Sequence, residues 1–97
     1  MEKDMGWVMR DLYQLILQRK AELPEDSYTA YLFQKGQDKI LKKVGEESAE
    51  TIIASKNNDD GEIIYESADL LYHLLVLWAY HGIKPQSVAD ELSTRRK

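Results

Sequence analysis

The sequence predicts an all-α fold: a helical bundle of four to five helices, built on an antiparallel hairpin of two long helices and completed by homodimerisation. Three observations carry this expectation. Apolar residues recur at helical intervals along most of the chain. No valine-rich alternating run bounded by turns occurs, so no strand is predicted. The glycines, prolines and Asx residues fall where helices should begin or end.

Val8, Leu12, Leu15 and Ile16 mark a first helix near residues 4–21, with Pro24 as a stop. Ser27 suits the N-cap of a short helix that carries Tyr31 and Leu32 and ends near Gly36. A long helix is expected over 37–56, then a loop of about five residues, NNDDG, in which Asp59 or Asp60 serves as N-cap. A second long helix follows over 62–80, with Gly82 as its C-terminal cap. Pro85 suits the first turn of a final helix over 85–94. Arg95, Arg96 and Lys97 stand at its C-terminal end, where cations complement the dipole and water solvates them.

The 97 residues read as one domain, 1–97, without repeats or a dividing linker. There is no Cys, which removes disulfides and thiolate metal sites and fits a reducing compartment. The start, MEKDMGW, is too acidic and polar for a signal peptide. The longest apolar run, LLYHLLVLWAY, is too short to span a bilayer. A soluble, cytoplasmic protein with no membrane partner is expected. Thirteen Lys and Arg against seventeen Asp and Glu give a net charge of -4. That balance argues against nucleic acid as a partner.

The most apolar part of the chain is also rich in carboxylates. Glu46, Glu47 and Glu50 share one helix; Glu66 and Asp69 stand on the next. Glu46 and Glu50 are i, i+4, while Glu47 and Glu50, like Glu66 and Asp69, are i, i+3. A short loop makes the two helices antiparallel neighbours and puts both groups at nearly the same level. The second long helix has almost no polar face. Leu70, Leu74 and Leu77 flank Glu66, Val76 and His73 flank it with Asp69, and Leu71, Leu75 and Trp78 cover the opposite side. A helix apolar all round is buried on more than one side. In so short a chain the economical solution is a bundle shared between chains. Glu66 and Asp69 then have no easy route to water, whereas Glu47, further from the apolar arc of its own helix, remains compatible with a solvated face.

Clustered carboxylates repel unless a cation is present. An oxygen-rich set with one nearby His and no Cys suits Mg²⁺, or Mn²⁺, rather than zinc. Such a cation holds phosphorylated substrates and lowers the pKa of a bound water. Lys35, Lys39, Lys42 and Lys43 precede the acids. They suit phosphates, and Lys42 and Lys43 equally suit i, i+4 pairs with Glu46 and Glu47. Gly45, costly in a helix interior, is compatible with close approach by a neighbouring helix or substrate. His73 reads as a hydrogen-bonded core or interface histidine. Trp7, Trp78 and Tyr72 read as packing groups. Ser27 and Thr29 suit capping and surface roles, with Thr29 also a candidate substrate contact.

EExxE at Glu46, Glu47 and Glu50, followed by ExxD at Glu66 and Asp69, resembles the all-α (MazG-like) nucleoside triphosphate pyrophosphohydrolase superfamily. The longer strings SYTAYLFQKGQDKILKKVGEESAETIIASKN and YESADLLYHLLVLWAYHGI resemble the phosphoribosyl-ATP pyrophosphatase family, over roughly residues 5 to 95. The resemblance implies Mg²⁺-dependent hydrolysis of a small-molecule nucleotide, 1-(5-phosphoribosyl)-ATP, to 1-(5-phosphoribosyl)-AMP and pyrophosphate in histidine biosynthesis. It also implies a homodimeric helical bundle. Carried onto this chain, it makes Glu46, Glu47, Glu50, Glu66 and Asp69 metal ligands. Glu47 and Glu66 are the candidate catalytic carboxylates, Glu66 either ligating or orienting a ligand or water. Lys43, Lys39, Lys35 and Thr29 become substrate contacts. Members of the family are often fused to the cyclohydrolase of the next step; this chain reads as the stand-alone form.

Two rivals fit the acidic motif alone. One is a housekeeping pyrophosphatase of ordinary nucleoside triphosphates. The other is a non-enzymatic helical dimerisation module whose acidic groove takes a basic partner.

Overall fold

Local capping chemistry sets nearly every helix boundary of the chain. The computed structural model describes residues 2–96, which form five α-helices and no strand. Helix α1, Met5–Glu22, starts where the Asp4 side chain accepts from the Trp7 backbone N–H at 2.8 Å. It ends at Leu23, which takes a left-handed conformation (φ 48) immediately before Pro24. Helix α2, Tyr28–Lys35, is capped by the Ser27 hydroxyl, which accepts from Ala30 N–H.

Gly36 alone joins α2 to α3. Its φ of 93 lies in a region that side chains disfavour, so a glycine allows the sharp reversal there. Helix α3 spans Gln37–Lys56, as its periodicity predicts. The connection to α4 is shorter than the expected five residues. The Asp59 carboxylate caps the N–H of Glu62, so α4 begins at Asp60 and only 57–59 remain as a turn. Asn58 turns the corner at φ 54, a conformation asparagine tolerates well. Helix α4 runs Asp60–His81 and closes on Gly82 in the left-handed region.

Helix α5, Pro85–Leu92, stops two residues before the expected end. The Ser93 and Thr94 hydroxyls donate to the carbonyls of Asp90 and Glu91, which competes with further helix. Arg95 is exposed, as expected, and also pairs with the likewise exposed Glu91 at 2.6 Å. Lys97, the end of the expected basic tail, lies outside the described residues.

The α3–α4 hairpin is the spine of the molecule, and α1 and α2 pack across it. Tyr13, Ile16, Leu32, Ile40, Leu75, Val76 and Ala79 form the core, one or more from each of the first four helices. Two polar anchors tie α1 to the end of α4. The Tyr13 hydroxyl donates to the Ile83 carbonyl at 2.6 Å, and the Lys20 ammonium to the Ala79 carbonyl at 2.7 Å. The latter places a cation at a helix C-terminus, where carbonyls lack partners.

The end of the hairpin nearest the turn is built differently. Ile52, Ile53, Ile64 and Tyr65 are all more than half exposed in the single chain. Gly45 is not approached within the chain, since a β-carbon there would meet no atom within 4 Å. The expected close approach of a helix is therefore not made by this chain's own elements.

Candidate active site

Antiparallel packing of α3 on α4 brings the two carboxylate groups together. Along α3 the buried residues are Ile40, Glu47 and Ala54, spaced by seven. A carboxylate thus stands where a bundle helix ordinarily places an apolar side chain. Glu47 is only 2% exposed, the most buried acid of the chain. The solvated face that its position left open is therefore excluded. The line through Ile40 and Ala54, not the general run of apolar residues on α3, is the one that meets α4.

Two groups of carboxylate and imidazole atoms converge on Glu47. Glu47, Glu50 and Glu66 present ligand atoms within 4.8 Å of one another, and so do Glu47, Asp69 and His73. Glu47 belongs to both. Its Oε2 and the Oε1 of Glu66 are buried and accept no hydrogen bond from the protein. Unpaired buried carboxylate oxygens are costly. They suit a cation, and an oxygen-rich donor set is the one hard divalent cations take. The residues present therefore fit such an ion. Glu46, also expected among the ligands, stands outside both groups, exposed and paired with Lys43.

Electrostatics follow from the crowding. Interaction with the neighbouring Glu66 carboxyl raises the Glu50 carboxyl above its ordinary range, helped by burial. Burial raises Asp69 as well, and the neighbouring Glu47 adds to it, against the opposing pull of His73 and Lys43. Lys43 sits 3.4 Å from both Glu46 and Glu47. Burial there disfavours its charge, but Tyr28 and the two glutamates outweigh that, and its pKa is raised.

The remaining expected contacts lie along α2 and the start of α3. Lys35 and Lys39 each place an ammonium 5.9 Å from the Tyr31 ring centroid. Thr29 hydrogen-bonds the Tyr72 hydroxyl. Tyr28 stacks between Tyr31 and Tyr72, each 6.2 Å away, and its hydroxyl reaches His73 Nε2 at 2.9 Å. His73 is the hydrogen-bonded core histidine its surroundings suggested, 2% exposed. Tyr28 and Tyr72 were not among the residues expected at the site. Tyr72 looked like a packing residue among leucines, and Tyr28 follows a cap without any motif of its own. The only available signal was the density of tyrosines in SYTAY.

Residues 9–96 match the family model described as phosphoribosyl-ATP pyrophosphohydrolase. A phosphoribosyl-ATP pyrophosphatase of Pelotomaculum thermopropionicum is 55% identical over 99% of this chain and 95% of its own length. One from Lactiplantibacillus plantarum is 58% identical over 90% of this chain and 82% of its own. A histidine biosynthesis bifunctional protein HisIE of Bacillus subtilis is 53% identical over 95% of this chain, which covers 44% of that longer protein. With a family model matching nearly its whole length and such relatives beside it, this chain belongs to the phosphoribosyl-ATP pyrophosphohydrolase family.

Proposed function

We propose that this chain, as a single domain, hydrolyses 1-(5-phosphoribosyl)-ATP to 1-(5-phosphoribosyl)-AMP and pyrophosphate, a step of histidine biosynthesis, with Mg²⁺ held by its clustered carboxylates. The names of its relatives and the family model support the reaction. The observation that carries the site is Glu47, buried at the centre of the hairpin with one oxygen unpaired, facing acids from both helices.

Glu47, Glu50 and Asp69 would hold the cation, with Glu46 reaching it from the rim. When bound, the ion neutralises the acids and the substrate phosphates and makes water a better nucleophile. Glu66, with its unpartnered buried oxygen, is the carboxylate placed to orient a ligand or accept a hydrogen bond from the attacking water. Lys43 meets phosphate charge beside Glu47, and Lys39 and Lys35 extend the positive edge past Tyr31. Thr29 stands at the same edge through its bond to Tyr72.

The reading includes a homodimer in the cytoplasm. Exposed Ile52, Ile53, Ile64 and Tyr65 at the turn end of the hairpin support a second chain there, because large apolar side chains clustered on a surface usually mark an interface. No helix of the described residues is long and apolar enough to cross a membrane.

The test is pyrophosphate release from 1-(5-phosphoribosyl)-ATP beside a panel of ordinary nucleoside triphosphates, each with Mg²⁺ and with EDTA. Mg²⁺-dependent release from the phosphoribosyl substrate alone is expected. Release only from ordinary triphosphates would move the chain to housekeeping hydrolysis. No release from any would leave a binding module.

A further inference from the structure

His73 is, besides Glu47, the buried polar side chain of the core, and its ring is fully committed. Nδ1 lies 2.8 Å from the Asp69 carbonyl oxygen, one turn back on α4, and 3.3 Å from the Asp69 carboxylate oxygen Oδ1. Both are acceptors, so Nδ1 carries a hydrogen. In the neutral ring Nε2 is then an acceptor, and the Tyr28 hydroxyl, 2.9 Å away, donates to it. Edge-on contacts with Tyr28 at 5.8 Å and Tyr72 at 5.0 Å hold the ring plane. Asp69, by contrast, keeps 32% of its side chain exposed, and its carboxylate is free to turn to water unless something holds it.

Both imidazole nitrogens therefore have partners, although the ring stands close to Glu47 and Asp69. Acting as a metal ligand would require it to give one of them up. Its geometry is that of a group that orients a ligating carboxylate, an outer contact whose loss lowers metal affinity even though it never touches the ion.

We propose that His73 is a positioning residue for Asp69: the positive edge of its Nδ1–H, bonded to the Asp69 carbonyl and 3.3 Å from Asp69 Oδ1, keeps that carboxylate turned toward Glu47, and the Tyr28 hydroxyl on Nε2 fixes the tautomer that can do so. The inference rests on the reading of Asp69 as a cation ligand. It assigns a role to Tyr28, a residue of a different helix, and joins the exposed tyrosines of α2 to the cation-binding acids of the hairpin.

The probe is Mn²⁺ alone, added to substrate-free protein and followed by loss of the free-ion EPR signal. The Mg²⁺ concentration giving half-maximal pyrophosphate release is measured in parallel. The variants are His73→Asn, His73→Gln, Tyr28→Phe and Asp69→Asn, each checked for helix content. The amide nitrogen of Asn overlays Nδ1 and that of Gln overlays Nε2, so only Asn restores the donor to Asp69. The expected result is that Asp69→Asn abolishes tight Mn²⁺ binding and that His73→Gln weakens it about tenfold or more. His73→Asn should stay within a few-fold of the parent, and the Mg²⁺ requirement should shift in the same order. Tyr28→Phe, which removes one hydroxyl from a partly exposed ring, should weaken Mn²⁺ binding with the fold intact, and it decides the matter if a His73 variant does not fold.

Loss of binding in Asp69→Asn with parental binding in folded His73→Gln and Tyr28→Phe would overturn the proposal and leave the cation site standing. Nitrogen hyperfine coupling to bound Mn²⁺ that is absent in His73→Asn would make His73 a ligand and equally overturn it. No Mn²⁺ binding by the parent protein would overturn the cation reading, and the proposal with it.

Discussion

The Lys43 ammonium lies 3.4 Å from the buried carboxylate of Glu47 and 3.4 Å from the solvated one of Glu46. One cation, itself partly exposed, thus serves the only carboxylate of the site that water barely reaches. Removing it with Lys43→Met leaves a buried acid unpaired. The cost to the metal-free protein should be about 1–3 kcal/mol. Excess Mg²⁺ should restore most of this stability, which denaturant melts with and without EDTA will read. A fall of about a hundredfold in kcat/KM should persist in Mg²⁺ if Lys43 also meets substrate phosphate.

Glu50 and Asp69 are crowded by like charges, so neutralising either should relieve the metal-free fold. Asp69→Asn and Glu50→Gln are expected to melt at or above the parent temperature in EDTA, and to gain little from Mg²⁺. Turnover should fall by at least about a hundredfold in each. Melting curves and pyrophosphate assays on the same preparations check both halves. Near-normal activity in Asp69→Asn would remove Asp69 from the site.

The same crowding gives the metal-free protein a pH dependence of definite sign. Folding raises the Asp69 and Glu50 pKa values above their ordinary 3.8 and 4.5. The folded state therefore binds more protons than the unfolded one in this range, and the associated stability is full below those ordinary values and lost as pH rises through the raised ones. Lys43, raised above its ordinary 10.5, contributes throughout that window. In EDTA the melting temperature should thus decline from mildly acidic toward neutral pH as far as these acids govern it. Mg²⁺ competes with the protons, so its stabilising effect should grow over the same interval. A metal-free melting temperature that climbs toward neutrality, with no growth in the Mg²⁺ effect, would contradict this account.

The exposed isoleucines and Tyr65 at the turn end of the hairpin bear on assembly. Replacing Ile53 and Tyr65 together by glutamate places charge on that apolar patch. If a second chain covers it, sedimentation should show a dimer for the parent and a monomer for the double variant. Helix content should be retained, because neither side chain contributes to the core. A parent that sediments as a monomer at working concentrations would remove the dimer from the functional reading.

The helices were legible in the sequence because their ends are written in local chemistry. Ser27, Asp59, Gly82 and Pro85 act within a few residues of themselves, and each stands at a helix end. The spacing of the acids and the short turn likewise sufficed to bring Glu50 and Glu66 to one level, since an antiparallel hairpin admits little else. Tertiary structure alone decided which line of α3 turns inward. The choice of the Ile40–Glu47–Ala54 line depends on how α4 packs, and it made Glu47 a buried acid rather than a solvated one. It alone also brought Tyr28 to His73, a contact between residues 45 positions apart. Periodicity and capping report interactions within a turn or two of helix, whereas a hydrogen bond across that separation exists only once α2 has folded back over the hairpin at Gly36.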